Sequence, residues 1–546
     1  MKILVIGGVA AGTKVAARLK RLNTDADVTL ITKDRGISFA TCALPYYVGG
    51  EIDDSTELFV NTLENFERIT GVRVMTGVEA EMVTPRVKTV SAKDHSNDAM
   101  YSLSYDKLVI ATGTSPVFPK EIRNDVYGVF KLVRPDDAVK MRKYIEDNGV
   151  KTAVVIGGGH VGLEIADSLK MRGINVYVIE RSPSVLGGSF DFEMADYITR
   201  HLEKNDVHVM TDTTVEYIVG ADRVCAVNTR KGYINCSLVV VAAGTRPNTD
   251  FLDESGVELY NGRIVVSEDM STSVEDIYAA GDCVVLKNRI SGRIMPSNQA
   301  SMATLEARAL AGVLAGRENL FRGSLATGII KIEGLNCART GLTEAEARDC
   351  GFDVVTTLAI ADDKPSYYPN ASFYATKLIA EKSSGRLLGV QTVGSGSADK
   401  MIDIAVTAIS LGATVYDFED MDLAYAPPFA TAVHPFVQSA ILMINKLNGD
   451  MISMTPAEYM QGRADGYRII DTSNTPSIPG AFYVDLTEIN GEIEGISKDE
   501  KLLLVCNRGK RAYLTQNRMR YYGYTNTVVL EGSTLFNVVK STSVKG

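Results

Sequence analysis

One short pattern occurs twice in this chain and decides most of its architecture. KILVIGG is a β-branched run that ends in glycines, AAGTKVAARLKRL follows with helical spacing of its apolar residues, and DVTLIT is again strand-like. The same order returns over residues 152–180, TAVVIGGGHVGLEIADSLKMRGINVYVIE, about 150 residues further on. Each stretch predicts a strand, a crossover helix and a parallel strand, a connection that closes almost always with one hand. Glycines at the strand-to-helix turn put backbone N–H groups and a helix N-terminus where a pyrophosphate can lie. Two such units predict an α/β chain with two Rossmann-like domains and two bound dinucleotides.

The second loop carries Gly157, Gly159 and Gly162 in GxGxxG spacing, and Glu180 closes the following strand, where a carboxylate accepts from ribose hydroxyls. This favours NADH. Arg181 beside Glu180 leaves NADPH open. The first loop has Gly7, Gly8, Ala11 and Gly12 but Val9 at the middle glycine position, and Thr32 and Lys33 stand where an acidic ribose ligand is expected. Taken alone it is a weak motif. Two strand-end turns support it: Thr112 and Gly113 after KLVI, and Asp282 in DIYAAGDC, placed to hydrogen-bond a flavin's ribityl chain. Together they assign FAD to the first unit. Gly244, in LVVVAAGTRPNTDF, ends a further apolar strand, and the two segments 107–116 and 238–251 read as crossings between domains.

At 546 residues the chain exceeds what one hydrophobic core sustains, so three or four structural units are expected. A net charge of −10 argues against nucleic-acid partners, which need a basic face. No apolar run reaches the roughly 18 residues of a membrane span, and Lys14, Arg18, Lys20 and Arg21 follow the first apolar run too closely for a signal peptide. A cytoplasmic protein is expected. The seven cysteines form no CxxC pair and no metal-ligand spacing, so neither a disulfide framework nor a metal is expected.

At ISFATCALPYYVGG (37–50) the sequence resembles the coenzyme A-disulfide and coenzyme A persulfide reductase group of FAD-dependent pyridine nucleotide-disulfide oxidoreductases. GGVAAG, STSVEDIYAAGD, ARTGLTEAEA, SYYPNA, LLGVQTVG, DKMIDIAVTAI and LAYAPPF carry the resemblance over roughly 1–447, and LLLVCNRGKRA (502–512) with IPGA (478–481) resembles a rhodanese module. The domains then expected are an FAD-binding domain over 1–112 and 244–325, a NAD(P)H-binding domain over 113–243, an α+β dimerisation domain over 326–448, and a rhodanese-like α/β domain over 455–546. A homodimer acting on a small-molecule disulfide or persulfide is implied.

By the same resemblance Cys42 is the redox centre. It works alone, because Ala43, Leu44, Pro45, Tyr46 and Tyr47 come after it in place of a second thiol. A lone thiolate can attack a disulfide or persulfide sulfur and hold the product as a mixed disulfide. Tyr425 and Tyr367 (or its neighbour Tyr368) match tyrosines near the partner's active site, and Glu164 joins the expected cofactor contacts. Ser38, Thr41 and Asn298 are expected at the substrate. Lys14, Arg18 and Arg21, at i, i+4 and i+7, make a cationic helix face that suits the phosphates of coenzyme A, whether as substrate or as bound ligand; a solvated basic face is the other reading. Thr41 and Val433 replace the group's usual Asn and Lys, and His434 its Asp, which keeps a smaller persulfide or polysulfide open. Cys506 opens a six-residue loop closed by Arg511, suited to sulfane sulfur. Ala10 stands where oxidases and peroxidases of the superfamily have a histidine. An NADH oxidase that reduces O2, or a thiol redox sensor, are the alternative functions.

Overall fold

Lys2–Ile6 and Thr152–Ile156 are runs rich in Val and Ile whose last four residues are all buried, as expected of strands covered on both faces. In the computed structural model, which describes residues 1–123 and 125–539, each is the central strand of a five-stranded parallel sheet. The first sheet runs Ile277–Ala279, Lys107–Ile110, Lys2–Ile6, Asp27–Thr32, Arg73–Thr76. The second runs Val207–Met210, Asn175–Ile179, Thr152–Ile156, Leu238–Val241, Val129–Phe130. The predicted crossings pair with each other: Thr114–Pro116 and Thr245–Pro247 form a two-stranded antiparallel ribbon.

The helix Ala10–Leu22 buries Ala11, Gly12, Val15, Ala16 and Leu19. It packs on Ala300–Leu314, whose Ala303, Ala307 and Ala311 keep the two backbones close. These elements belong to a unit made of Met1–Pro183 and Asp206–Ser324.

The second unit comprises Ser184–Asn205 and, among the described residues, everything from Leu325 onward. Sequence order alone would not take the helix Phe192–Lys204 out of the second Rossmann segment. Its contacts do, because Lys377, on the strand Phe373–Glu381, binds Glu193 and reaches Asp191 at 3.0 Å and Glu344 at 2.8 Å. That strand lies in a five-stranded antiparallel sheet ordered Gly328–Ile332, Leu335–Gly341, Leu387–Gly394, Phe373–Glu381, Val354–Asp362. Helices Ala398–Leu411 and Pro435–Leu447 pack on it.

A last parallel sheet, ordered Ser453–Met454, Thr527–Leu530, Leu502–Val505, Arg468–Asp471, Phe482–Tyr483, has the fully buried run LLLV at its centre. Asp471 ends its strand and folds the next loop, accepting from the N–H groups of Ser473 (3.0 Å) and Ile478 (2.9 Å). The stretch 540–546 of the expected rhodanese-like domain lies outside the described residues. Among the described residues no helix is long and apolar enough to cross a membrane.

Candidate active site

The glycines of the two loops serve different ends. A Cβ on Gly12 would stand 1.9 Å from the Gly7 carbonyl oxygen, and one on Gly162 would stand 1.9 Å from that of Gly157. These positions need glycine for helix-to-strand packing. At Gly159, Gly113 and Gly244 a Cβ would meet no protein atom within 4 Å. Space beside a strand-end turn, left open by the protein itself, is what close approach of a dinucleotide requires. It also accounts for Val9: the middle position of the loop is not constrained by packing, and Val9, at φ −108°, does not need the left-handed backbone that only glycine adopts freely.

Glu180 lies at the second loop, its Oε2 accepting from the Gly158 N–H at 2.7 Å and its Oε1 from the Ser182 N–H at 2.7 Å. At the end of the corresponding strand of the first unit, Lys33 is exposed and lies 3.5 Å from Glu79. Thr112 and Asn248 tie the two crossings together, Thr112 Oγ1 donating to the Asn248 carbonyl (2.7 Å) and Asn248 Nδ2 to the Thr112 carbonyl (2.9 Å). Gly8 and Ala11 face inward, Gly8 against Thr32 and Ile37, Ala11 against Gly281.

The Asp282 turn rests on a residue the sequence did not single out. Glu306 is fully buried; it accepts from the Gly281 N–H at 2.6 Å and from the Ser297 hydroxyl at 2.7 Å. Arg263 donates to the Asp282 carbonyl, and burial raises the Asp282 carboxyl above its usual range. Asn298, next to Ser297, is exposed.

Cys42 sits in a single 3-10 turn, Thr41–Ala43, before the short helix Leu44–Gly49. Ser38, at φ +51°, links this segment to the first loop through its N–H on the Gly8 carbonyl (2.9 Å). The cysteine is exposed, yet desolvation around the sulfur raises its thiol pKa; the Thr41 hydroxyl lowers it, and the carboxylates of Glu164 and Asp282 raise it again. Glu164 is itself pushed up to about 7 by burial, against a hydrogen bond from the Tyr46 hydroxyl at 3.4 Å. Burial, with the Glu164 charge, takes Tyr46 up to about 12.

As pH climbs through 7, Glu164 gains a charge that opposes ionisation of Cys42. Glu164→Gln should therefore move the midpoint of the Cys42 alkylation profile to lower pH and speed iodoacetamide modification at pH 8 about threefold. An unchanged profile would remove Glu164 from the electrostatics of the thiol.

On the helix Ala10–Leu22, Lys14 and Arg18 are half-buried and Arg21 is exposed. Burial lowers the Arg18 pKa, and the charges of Arg308, Arg21 and Arg317 lower it further. The cationic face is thus larger than the sequence spacing suggested, since Arg308 belongs to the helix packed alongside. Arg18 Nε is buried and makes no hydrogen bond.

In the second unit, Tyr367 and Tyr425 are exposed, and the Tyr367 pKa is raised by desolvation and then by the neighbouring Tyr425 hydroxyl. Nearby in sequence, His434 caps the helix Pro435–Leu447, its Nδ1 accepting from the Phe436 N–H at 3.2 Å. Burial, with Lys400, lowers it to about 4, so it is neutral at physiological pH.

Cys506 is buried, and the Gly509 N–H points at its sulfur at 3.1 Å. Arg511 directs Nη2 to Asp485 at 2.7 Å, and Arg508 pairs with Asp362. Both arginines of this loop are already paired. The Ser533 hydroxyl, which sequence reading missed, accepts from the Cys506 N–H at 3.2 Å.

Residues 1–304 match the family described as pyridine nucleotide-disulphide oxidoreductase, 329–436 match its dimerisation domain, and 455–535 match a rhodanese-like domain. The chain belongs to the pyridine nucleotide-disulphide oxidoreductase family, and its cofactors are FAD and NAD(P)H. It is 35% identical to a NAD(P)H coenzyme A polysulfide/persulfide reductase of Pyrococcus horikoshii, over 80% of this chain and 97% of that one. It is 32% identical to a NADH oxidase of Methanocaldococcus jannaschii, over 82% of this chain and all of that one. Among solved structures, a NAD-dependent persulfide reductase from A. fulgidus superposes with a TM-score of 0.93 at 32% identity, covering 98% of this chain and 100% of the other.

Proposed function

We propose that this chain is a NAD(P)H-dependent reductase of coenzyme A disulfide or persulfide, working through Cys42, with a sulfane-sulfur site at Cys506. The observation that carries the substrate is the pairing of a lone cysteine with a cationic cluster on the helix that leaves the first glycine loop. Arg18, Arg21, Arg308 and Arg317 gather there, with one buried guanidinium nitrogen unbonded. Such a cluster suits a polyphosphorylated thiol better than glutathione or inorganic polysulfide.

In this reading the Cys42 thiolate attacks one sulfur of the substrate. The S–S bond breaks, and the leaving thiolate or hydrosulfide departs with the electron pair and takes a proton. Cys42 keeps the other half as a mixed disulfide or persulfide. FAD, held by the first glycine loop and the Asp282 turn, would supply the two electrons from NAD(P)H with which Cys42 gives up the second thiol. Glu180 favours NADH at the second loop.

The chain acts as a homodimer in the cytoplasm, and the exposed Tyr367–Tyr425 pair serves the Cys42 site of the other subunit as a proton donor to the departing thiolate. Sulfane sulfur collected at Cys506 passes on a carrier thiol to Cys42 for release as hydrosulfide. The expected domains are those of the sequence, with FAD held by 1–112 and 244–325 and NAD(P)H by 113–243.

Anaerobic NADH oxidation with coenzyme A disulfide, coenzyme A persulfide and glutathione persulfide tests this. Coenzyme A species should turn over fastest. Arg18→Ala should raise their KM about tenfold at low salt and leave glutathione persulfide unmoved, since a charged hydrogen bond to phosphate contributes roughly 1.5–3 kcal/mol. Equal turnover of all three, indifferent to Arg18, would refute coenzyme A as substrate. The similarity to a NADH oxidase favours a second reading, reduction of O2 at the flavin. Oxygen-driven NADH oxidation with all three sulfur substrates inert would select it.

A further inference from the structure

The strand Val354–Asp362 is the outer strand of its antiparallel sheet, so one of its sides offers backbone groups to no other strand of that sheet. Two of its residues reach the Cys506 site. The Leu358 N–H donates to Glu531 Oε2 at 2.7 Å, and Asp362 pairs with Arg508, two residues after the cysteine. Glu531 is buried, and its other oxygen accepts from Lys446 Nζ at 2.7 Å and the Ser453 hydroxyl at 2.6 Å. A carboxylate with both oxygens engaged by a backbone donor, an ammonium and a hydroxyl has little freedom to move.

The three residues after Glu531 make this more than a point of attachment. At Gly532, φ +71°, a Cβ would stand 2.6 Å from Leu358 Cδ2, so the turn lies directly against the outer strand. Ser533 comes next, fully buried and held at φ +44°. Its hydroxyl donates to the Leu530 carbonyl at 3.1 Å, accepts from the Cys506 N–H at 3.2 Å, and lies 3.9 Å from the sulfur. Thr534 then donates through both N–H and hydroxyl to the Cys506 carbonyl, each at 3.1 Å. The backbone on both sides of Cys506 is thereby fixed by one turn, and that turn is fixed by a strand outside the rhodanese-like sheet.

We infer that Glu531 and Ser533 are positioning residues of the Cys506 site, and that the strand Val354–Asp362 completes this site. The inference rests on the reading of Cys506 as a sulfane-sulfur site. In the reaction it serves, the Cys506 thiolate attacks the outer sulfur of a donor such as thiosulfate. The S–S bond breaks, sulfite leaves with the electron pair, and Cys506 carries the persulfide. An acceptor such as cyanide then takes the terminal sulfur as thiocyanate and returns the thiolate, with no net oxidation or reduction of the protein.

The test uses the full-length chain and measures kcat and KM for thiosulfate:cyanide sulfur transfer in wild type, Cys506→Ser, Glu531→Ala, Glu531→Gln and Ser533→Ala. Alkylation of Cys506 and NADH-linked turnover through Cys42 are followed in the same samples. Glu531→Ala and Ser533→Ala should each lower kcat about tenfold or more with little change in KM, because a misplacement of about 1 Å can cost that much or more. Glu531→Gln, which keeps an acceptor for the Leu358 N–H, should recover most of the rate. NADH turnover should stay within about twofold of wild type.

Wild-type kcat in Glu531→Ala overturns the positioning role. So does a fall in rate accompanied by alkylation of Cys506 about tenfold faster than wild type, which marks an opened domain and not a misplaced loop. If wild type and Cys506→Ser transfer sulfur equally, the reading of Cys506 itself fails and the inference fails with it.

Discussion

Cys42→Ser is expected to abolish NADH-dependent reduction of coenzyme A disulfide, with a loss of about 1000-fold or more. A serine hydroxyl cannot form the sulfur–sulfur bond that holds half the substrate, and no second thiol stands within the next five residues to take its place. Anaerobic stopped-flow traces should still show the flavin reduced by NADH, because the glycine loops and Glu180 are untouched. Sulfur transfer from thiosulfate at Cys506 should persist in this variant. Cys506→Ser should show the reverse pattern, losing that transfer and keeping disulfide reduction. Residual disulfide turnover above about a tenth of wild type in Cys42→Ser would mean that the flavin delivers electrons without the thiol.

The largest effect on stability is expected at Lys377→Met. Lys377 is buried with Asp191 and Glu193 and meets the less buried Glu344, so removing its ammonium takes away the cation these three carboxylates share and leaves only Glu344 with another, Arg348. Breaking a buried ion pair from one side costs about 3–5 kcal/mol, and urea unfolding of the variant should register a loss of that size. Burial alone would lower the Lys377 pKa, but the carboxylates of Glu193, Asp191 and Glu344 outweigh it and raise the pKa. Its contribution is therefore fully present below the unfolded lysine value of about 10.4 and fades as pH rises through the folded value. Glu344 runs the other way. Burial raises its carboxyl, Lys377 and Arg348 together pull it below the usual range, and its contribution fades as pH falls through that depressed value. The gap between wild type and variant should accordingly be widest between about pH 5 and 10. A loss under about 1 kcal/mol at pH 7 would show that Lys377 does not compensate these carboxylates.

The sequence was most informative where a residue's neighbours in the chain are also its neighbours in space. The glycine loops and the turn before Asp282 are local, and spacing placed them at strand ends, whereas the Cys42 segment, a 3-10 turn, was picked out by its resemblance to a family motif. It was least informative where a contact joins distant segments. Glu306 lies on an Ala-rich helix and gives no sign that its carboxylate holds the turn before Asp282 through Gly281, 25 residues earlier. Lys377 reads as a stray charge in the apolar run FYATKLIAE, since the helix carrying Glu193 is separated from it by 184 positions. Arg511 reads as a residue closing the loop around the Cys506 sulfur, yet Asp485 engages it, and Asp362 engages Arg508. Spacing finds donors and acceptors, but it does not say which partner each will choose.

The order of strands in the two parallel sheets also bears on how the chain is made. All strands of the second sheet come from 129–241, an unbroken stretch. The first sheet waits for Ile277–Ala279 to join Lys107–Ile110, although its central strand begins at Lys2. On a ribosome adding residues from the N-terminus, the later Rossmann unit can close while the earlier one still lacks an outer strand. The pocket encoded first is thus finished last, and nascent chains shorter than about 280 residues present an unpaired strand edge that a chaperone would have to shield.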